Sequence, residues 1–297
     1  MRILVPIDAS VQTEYTLEFI ASRTTLIGSH PSIELLNVQP PLPARACRLV
    51  GQEALTRYYE DEAQKVFEPA REALKGTPVT ERMEVGDPAE CIAKTAVDSN
   101  ADLIVMASRG QGALKGLFFG SVSNGVLART TCPMLMLRSH MPRKTDALRV
   151  GIAVDGSKYG RAAVRYALRH ASLFGAGAFF YIINVVSDYA GAVMPDMAGM
   201  ALPSLSEEEV VELQKEEFEE AVAPLRPLFA KAGRKAKEIC LVGNPGDEIS
   251  NFAKKRKLDL IVMGSHGYGR FKAALMGSTA TRIAALSDIP LLVVRAA

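Results

Sequence analysis

Two stretches of this chain run from an apolar segment into the same glycine pattern. Leu103-Ile104-Val105-Met106 leads into Ala107-Ser108-Arg109-Gly110 and, after nine intervening residues, Gly120-Ser121. Leu260-Ile261-Val262-Met263 leads into Gly264-Ser265-His266-Gly267 and, at the same spacing, Gly277-Ser278. The chemistry this pattern suits is anion binding. Glycines let backbone N–H groups approach a charged oxygen with no Cβ in the way. A Gly-Ser that opens a helix adds unpaired N–H groups, the positive end of the helix dipole and a hydroxyl. Each charge-assisted bond of this kind contributes about 1.5–3 kcal/mol. Lys115 and Lys272 sit at matching places between the glycine pairs and could neutralise phosphate, although solvent is their default environment. His266 has no nucleophile, metal ligand or partnering carboxylate at a readable spacing, so no catalytic role is assigned to it. Neither a P-loop, with Lys-Ser/Thr directly after its last glycine, nor a Rossmann loop, which follows the first strand, is present.

The elements that must position these turns repeat with them. Asp8 matches Asp155 and Val38 matches Val185, both 147 residues apart, whereas Gly86 and Gly243, Asp102 and Asp259, Gly120 and Gly277, and Pro133 and Pro290 are 157 apart. The second copy has therefore gained ten residues, which fall most naturally in the Gly, Pro and Met-containing stretch 190–206. Met194, Met197 and Met200 of that stretch read as a loop, with a lid or partner surface as the alternative. Ser206 and Glu209 then have capping-box spacing ahead of a helix. The polar, proline-containing segment 139–146 reads as a linker, which divides the chain into domains 1–141 and 146–297.

Each copy reads strand, helix, strand, long helix, strand, helix, strand, helix, strand. The predicted strands are 2–7, 32–38, 79–85, 102–107 and 134–138, then 149–154, 178–185, 236–242, 259–264 and 291–295. Most are continuously apolar, as in a parallel sheet covered on both faces. The expected fold is α/β, a tandem of two doubly wound five-stranded parallel-sheet domains, each closing its own core, with strand order 3-2-1-4-5. In that order the ligand crevice lies between strands 1 and 4, where the aspartate ending strand 1 (Asp8 or Asp155) meets the glycine turn. Those aspartates could equally cap the next helix, and capping and ligand contact can coexist.

Composition narrows the class. Apolar residues make up 48% of the 297 and charged residues 23%, as in an ordinary globular protein, and a net charge of +2 gives no electrostatic case for nucleic acid. Met1–Asp8 has too short an apolar core for a signal peptide and reads as a strand, and no segment reaches membrane-span length. A cytoplasmic location is expected. Cys47, Cys91, Cys132 and Cys240 fit no zinc or redox spacing and read as buried small apolar residues; no metal site is expected.

The glycine pattern of Gly264, Gly267, Gly277 and Ser278, together with Asp155 after strand 1, Val185 at the end of strand 2 and the Gly-Asn-Pro at 243–245, resembles the nucleotide motif of the universal stress protein family. Gly86-Asp87-Pro88 is the matching element of the first copy, and the resemblance covers nearly the whole chain twice. It implies a regulatory protein that binds ATP or AMP, with magnesium an open companion of ATP. Asp155 and Val185 would then meet the adenosine part, and Gly264, Gly267, Gly277 and Ser278 the phosphates. In the first copy Asp8, Val38, Gly110, Gly120 and Ser121 fit the motif, but Ala107 replaces its first glycine. If that position needs a left-handed backbone, alanine costs about 1–2 kcal/mol; if the backbone there is ordinary it costs almost nothing, and Arg109 could add a phosphate contact, with the second copy ranked as the better site. Thr279 stands where the family often has valine. The resemblance also implies that the last strands pair antiparallel, making an internal pseudo-dimer; further pairing of two chains stays open. An enzyme transferring an adenylyl or phosphoryl group, and a nucleotide-free interaction scaffold, are the alternatives.

Overall fold

A computed structural model describes residues 1–23, 32–44, 51–107, 120–189, 205–265 and 276–295. The first repeat contains β1 (Arg2–Ile7), α1 (Val11–Arg23), β2 (Ser32–Gln39), α2 (Gln52–Ala73), β3 (Val79–Val85), α3 (Pro88–Asp98), β4 (Leu103–Ala107), α4 (Ser121–Arg129) and β5 (Met134–Leu137). The second contains β6 (Arg149–Ala153), α5 (Lys158–Arg169), β7 (Phe179–Val186), α6 (Glu207–Val222), the short α7 (Arg226–Lys231), β8 (Ala236–Val242), α8 (Pro245–Arg256), β9 (Leu260–Gly264), α9 (Ser278–Leu286) and β10 (Leu291–Val294). The capping box forms as its spacing predicts: Ser206 Oγ accepts from the Glu209 amide, and Glu209 Oε2 accepts from the Ser206 amide.

All ten strands lie in one sheet, in the order β3-β2-β1-β4-β5-β10-β9-β6-β7-β8. Within each repeat the pairing is parallel, and at the seam β5 and β10 run antiparallel, with Leu135 opposite Leu292. The repeats therefore do not close separate cores. One cluster on one face of the sheet joins Ile3, Val5 and Leu135 to Val150, Val262 and Leu292. The cluster on the other face joins Leu4, Ile104 and Met136 to Ile183, Ile261 and Leu291. Each repeat taken alone would expose the apolar strand that the other covers.

Polar contacts reinforce the seam. Arg295 Nη1 donates to the carbonyls of Leu127 and Thr130 (2.8 and 2.7 Å) at the end of α4, and Arg138 lies 3.8 Å from Asp288 beyond α9. Tyr166 Oη donates to the Asp102 carbonyl at 2.9 Å. No residue of the outer strands β3 and β8 is buried, because only one neighbour flanks each. For that reason Cys240 on β8 is exposed, against the expectation of burial, whereas Cys91 and Cys132 are half-buried.

Two constraints fix where β6 and β9 end. Asp259, 2% exposed at its side chain, accepts from the Arg149 amide (2.7 Å) that begins β6 and from Arg143 of the linker through Nε, Nη2 and the backbone amide. Burial pushes the Asp259 carboxyl up, but the bonds from Arg143 and the Arg149 amide outweigh it and hold the pKa below the usual value. At the other end of the strand, a Cβ on Gly264 would lie 2.7 Å from Tyr159 Cβ and 2.8 and 2.9 Å from the Tyr159 carbonyl carbon and oxygen. Gly264 is not among the residues with positive φ. The glycine is thus required by the close approach of α5, and the left-handed backbone considered for this position does not occur.

Gly264→Ala should force α5 off the strand and destabilise the protein by about 1–3 kcal/mol, read as a lower thermal midpoint; an unchanged midpoint would show that α5 can give way. A second expectation concerns acid. Because the folded pKa of Asp259 is depressed, its contribution is present above the unfolded value near 3.8 and is lost as pH falls through the lower folded pKa. Urea denaturation from pH 5 to pH 2 should therefore show a shallower loss of stability in Asp259→Asn than in the unaltered chain; parallel curves would assign the acid sensitivity to other groups.

Candidate functional site

The carboxyl ends of β6, β7 and β9 open into a cleft of about 660 Å³. Its lining brings together five residues singled out in the second copy: Asp155, Val185, Gly264, Gly277 and Ser278. Gly267, Lys272 and His266 lie outside the described residues, as do Gly110, Arg109 and Lys115 of the first copy and Met194, Met197 and Met200 of the inserted stretch. Asp8, Val38, Gly120 and Ser121 take the corresponding places at the ends of β1 and β2 and at the start of α4.

Donors face the cleft from the β9 side. Gly277 is the N-cap of α9, and no side chain caps that helix end. Gly277 to Ala280 line the cleft, so the unpaired N–H groups of the first turn lie beside it. α4 likewise begins after Gly120 with no side-chain cap. By contrast, Asp87, Ser157, Ser206 and Asn244 cap α3, α5, α6 and α8 with their side chains. Backbone donors and a helix dipole at an uncapped end suit an anion. The Gly277 amide is itself spent on the Ser265 carbonyl at 2.9 Å, which pins the turn's second glycine to its start.

Acceptors face the cleft from the other side. Asp155 lies two residues past β6, and its Oδ1 accepts from the Ser157 amide at 3.1 Å. The capping expectation for this aspartate moves two residues along, because Ser157 Oγ accepts from the Gly160 amide at 3.2 Å and is the actual cap of α5. Three lining residues with polar side chains were not anticipated from sequence. Asn184, 3% exposed, donates Nδ2 to the Val154 carbonyl at 3.0 Å and so ties β7 to the end of β6. Its Oδ1 is buried with no partner among the described residues. Glu217 and Glu220, one turn apart on α6, add carboxylates, and Glu217 accepts from the Ser187 amide and the Tyr189 hydroxyl, both at 3.1 Å. Asn184 had a readable signal, since Asn37 stands 147 residues earlier and donates to the Ile7 carbonyl in the same way. The two glutamates had none, hidden in a helix rich in glutamate.

Ile249, Met263, Met276 and Pro245 supply apolar wall between the polar ends. The cleft can therefore hold a molecule that is donor-rich and partly apolar at one end and anionic at the other. Among the described residues no group of His, Cys, Asp and Glu could hold a metal ion, and no helix is long and apolar enough to cross a membrane.

Comparison with known proteins agrees with this architecture. The profile of the universal stress protein family matches the chain twice, over residues 1–138 and 148–295. A universal stress protein of Mycolicibacterium smegmatis is 26% identical over 303 residues, covering 99% of this chain and 96% of that protein. One of Mycobacterium tuberculosis is 27% identical over 311 residues with the same coverage. Among solved structures, a universal stress protein from Archaeoglobus fulgidus superposes with a TM-score of 0.72 at 21% identity, over 99% of this chain and 98% of that one, and so shares the fold. The chain belongs to the universal stress protein family, as a tandem of two of its domains.

Proposed function

We propose that the cleft of the second repeat binds an adenine nucleotide, ATP or AMP, and that occupancy regulates the protein's shape or partners without turnover. The observation that carries this reading is the polarity of the cleft: carboxylates and an amide oxygen on the β6–β7 side, an uncapped helix N-terminus on the β9 side, and apolar wall between. A nucleoside brings hydroxyl and amino donors to the first, and its phosphates bring charge to the second. Asp155 and Val185 would receive the adenosine part. Gly264, Gly267, Gly277 and Ser278 would surround the phosphates, with magnesium entering only as the companion of ATP. The donor set supports a non-catalytic role: the described lining offers anion donors, Asp155 and Glu217 already accept from backbone amides, and no nucleophile there is paired to a base.

Calorimetry with ATP and AMP is expected to show saturable binding, and Asp155→Asn to weaken it at least tenfold, about 1.4 kcal/mol. Incubation of the chain with an equimolar amount of labelled ATP should return it intact. Stoichiometric conversion to ADP or AMP would establish the transferase reading instead, and absence of binding at millimolar nucleotide would leave the interaction scaffold.

A further inference from the structure

The two repeats have the same aspartate after strand 1 and use it differently. We propose, building on the nucleotide reading above, that the chain takes a single nucleotide, in the second repeat, and that one position at the start of the following helix sets this asymmetry: Gly160 leaves Asp155 to a ligand, whereas Thr13 takes Asp8 into the fold.

In the second repeat the turn after β6 passes through Gly156 at φ +78°, and among the described residues Asp155 Oδ1 accepts a single bond, from the Ser157 amide. The Ser157 hydroxyl is engaged elsewhere, on the Gly160 amide, and Gly160 has no side chain to offer. A Cβ at Gly160 would sit 3.2 Å from Asp155 Oδ1, so any side chain there would press on the carboxylate. In the first repeat Ala9 replaces Gly156 and is not left-handed. Three donors converge on Asp8 Oδ1: the Ser10 amide at 3.1 Å, the Ser10 hydroxyl, and the Thr13 hydroxyl at 2.8 Å. Thr13 Oγ1 also accepts from the Asp8 amide at 2.9 Å, which closes the turn on itself. A carboxylate oxygen has room for about two strong donors, so Asp8 Oδ1 is saturated and only Oδ2 is left to a ligand, whereas Asp155 Oδ1 keeps an acceptor site besides Oδ2.

Two further differences point the same way. The helix residue that pins the segment after strand 2 is Glu217 in the second repeat, where it lines the cleft. In the first repeat that duty falls to Tyr59, 7% exposed, whose hydroxyl accepts from the Leu42 amide at 2.9 Å. Leu42 and Tyr189 stand 147 residues apart, as Asp8 and Asp155 do, so a buried aromatic ring replaces an acidic lining group. At the glycine turn, Ala107 donates its amide to Thr16 Oγ1 of α1 at 3.0 Å. The strand-1 aspartate, the segment after strand 2 and the start of the glycine turn are thus tied internally in the first repeat, although Asn37 Oδ1, like Asn184 Oδ1, is buried with no partner among the described residues.

The test is a calorimetric titration of the full chain with ATP, beside thermal melts without nucleotide. One equivalent of ATP is expected. Asp155→Asn should lower the affinity at least tenfold with little change in melting temperature. Asp8→Asn should do the reverse, lowering the melting temperature by several degrees with affinity and stoichiometry kept. Gly160→Thr, which installs the first repeat's residue, should weaken binding at least tenfold in a chain that still melts cooperatively; because that variant stresses a helix start, the aspartate pair supplies an independent readout. Two equivalents of ATP, lost affinity in Asp8→Asn, or undiminished affinity in a folded Gly160→Thr would overturn the proposal while leaving nucleotide binding in place. No binding to the unaltered chain would overturn both.

Discussion

The antiparallel contact between β5 and β10 is the constraint on which the rest of the molecule depends. Both strands are four residues long and wholly apolar, and all eight residues are buried. As sheet edges they would invite pairing with other chains. Paired with each other, they turn two five-stranded sheets into one and let a continuous core run along each face. The direction of pairing has a consequence for ligands. Strands of the two repeats point opposite ways across the seam, so the carboxyl ends of β1 and β4 and those of β6 and β9 emerge at opposite ends of the sheet. Two crevices in such a molecule cannot share a ligand and need not share a fate.

The seam also organises the helices that begin at the glycine turns. Arg295, just past β10, reaches the last carbonyls of α4, and Arg138, just past β5, lies beside Asp288 after α9. A cation at a helix C-terminus complements the dipole there. Each of these helices is therefore secured at its far end by the other repeat, while its glycine-capped N-terminus has no side-chain cap. In the second repeat that open end faces the cleft. The helix is rigid where it meets the seam and incomplete where an anion would meet it.

Much of this was legible in the sequence because continuous apolar runs and punctuating glycines report directly on a covered parallel sheet. The strands fall within a residue or two of their expected bounds, and Asp155, Val185, Gly264, Gly277 and Ser278 line one cleft. What stayed hidden depends on distances that spacing does not encode. Gly264 looked like a backbone requirement and is a packing requirement set by Tyr159. The cap expected at Asp155 belongs to Ser157. Glu217 and Glu220 reach the cleft only because α6 packs on β7, and separate cores were expected where shared ones exist, since periodicity shows which face is apolar and not what covers it.

The difference between Asp8 and Asp155 shows how one fold can hold both a structural and an available version of the same residue. A carboxylate with three donors adds stability to the turn that carries it, because hydrogen bonds to charged groups contribute more than neutral ones. A carboxylate with a single donor among the described residues forgoes part of that stability, and a buried amide oxygen such as Asn184 Oδ1, with no partner among them, is a cost to the fold. Such costs persist where they serve a function, and stability gained by filling them tends to come at its expense. The second repeat leaves Asp155, Asn184 Oδ1 and the first turn of α9 around one cleft; the first repeat leaves Asn37 Oδ1 and the first turn of α4 open in the same way, so the strand-1 aspartate is the group whose internal completion differs. The first repeat shows that completion at the strand-1 aspartate: Thr13 and Ser10 are enough, and the same architecture stands without an external partner there.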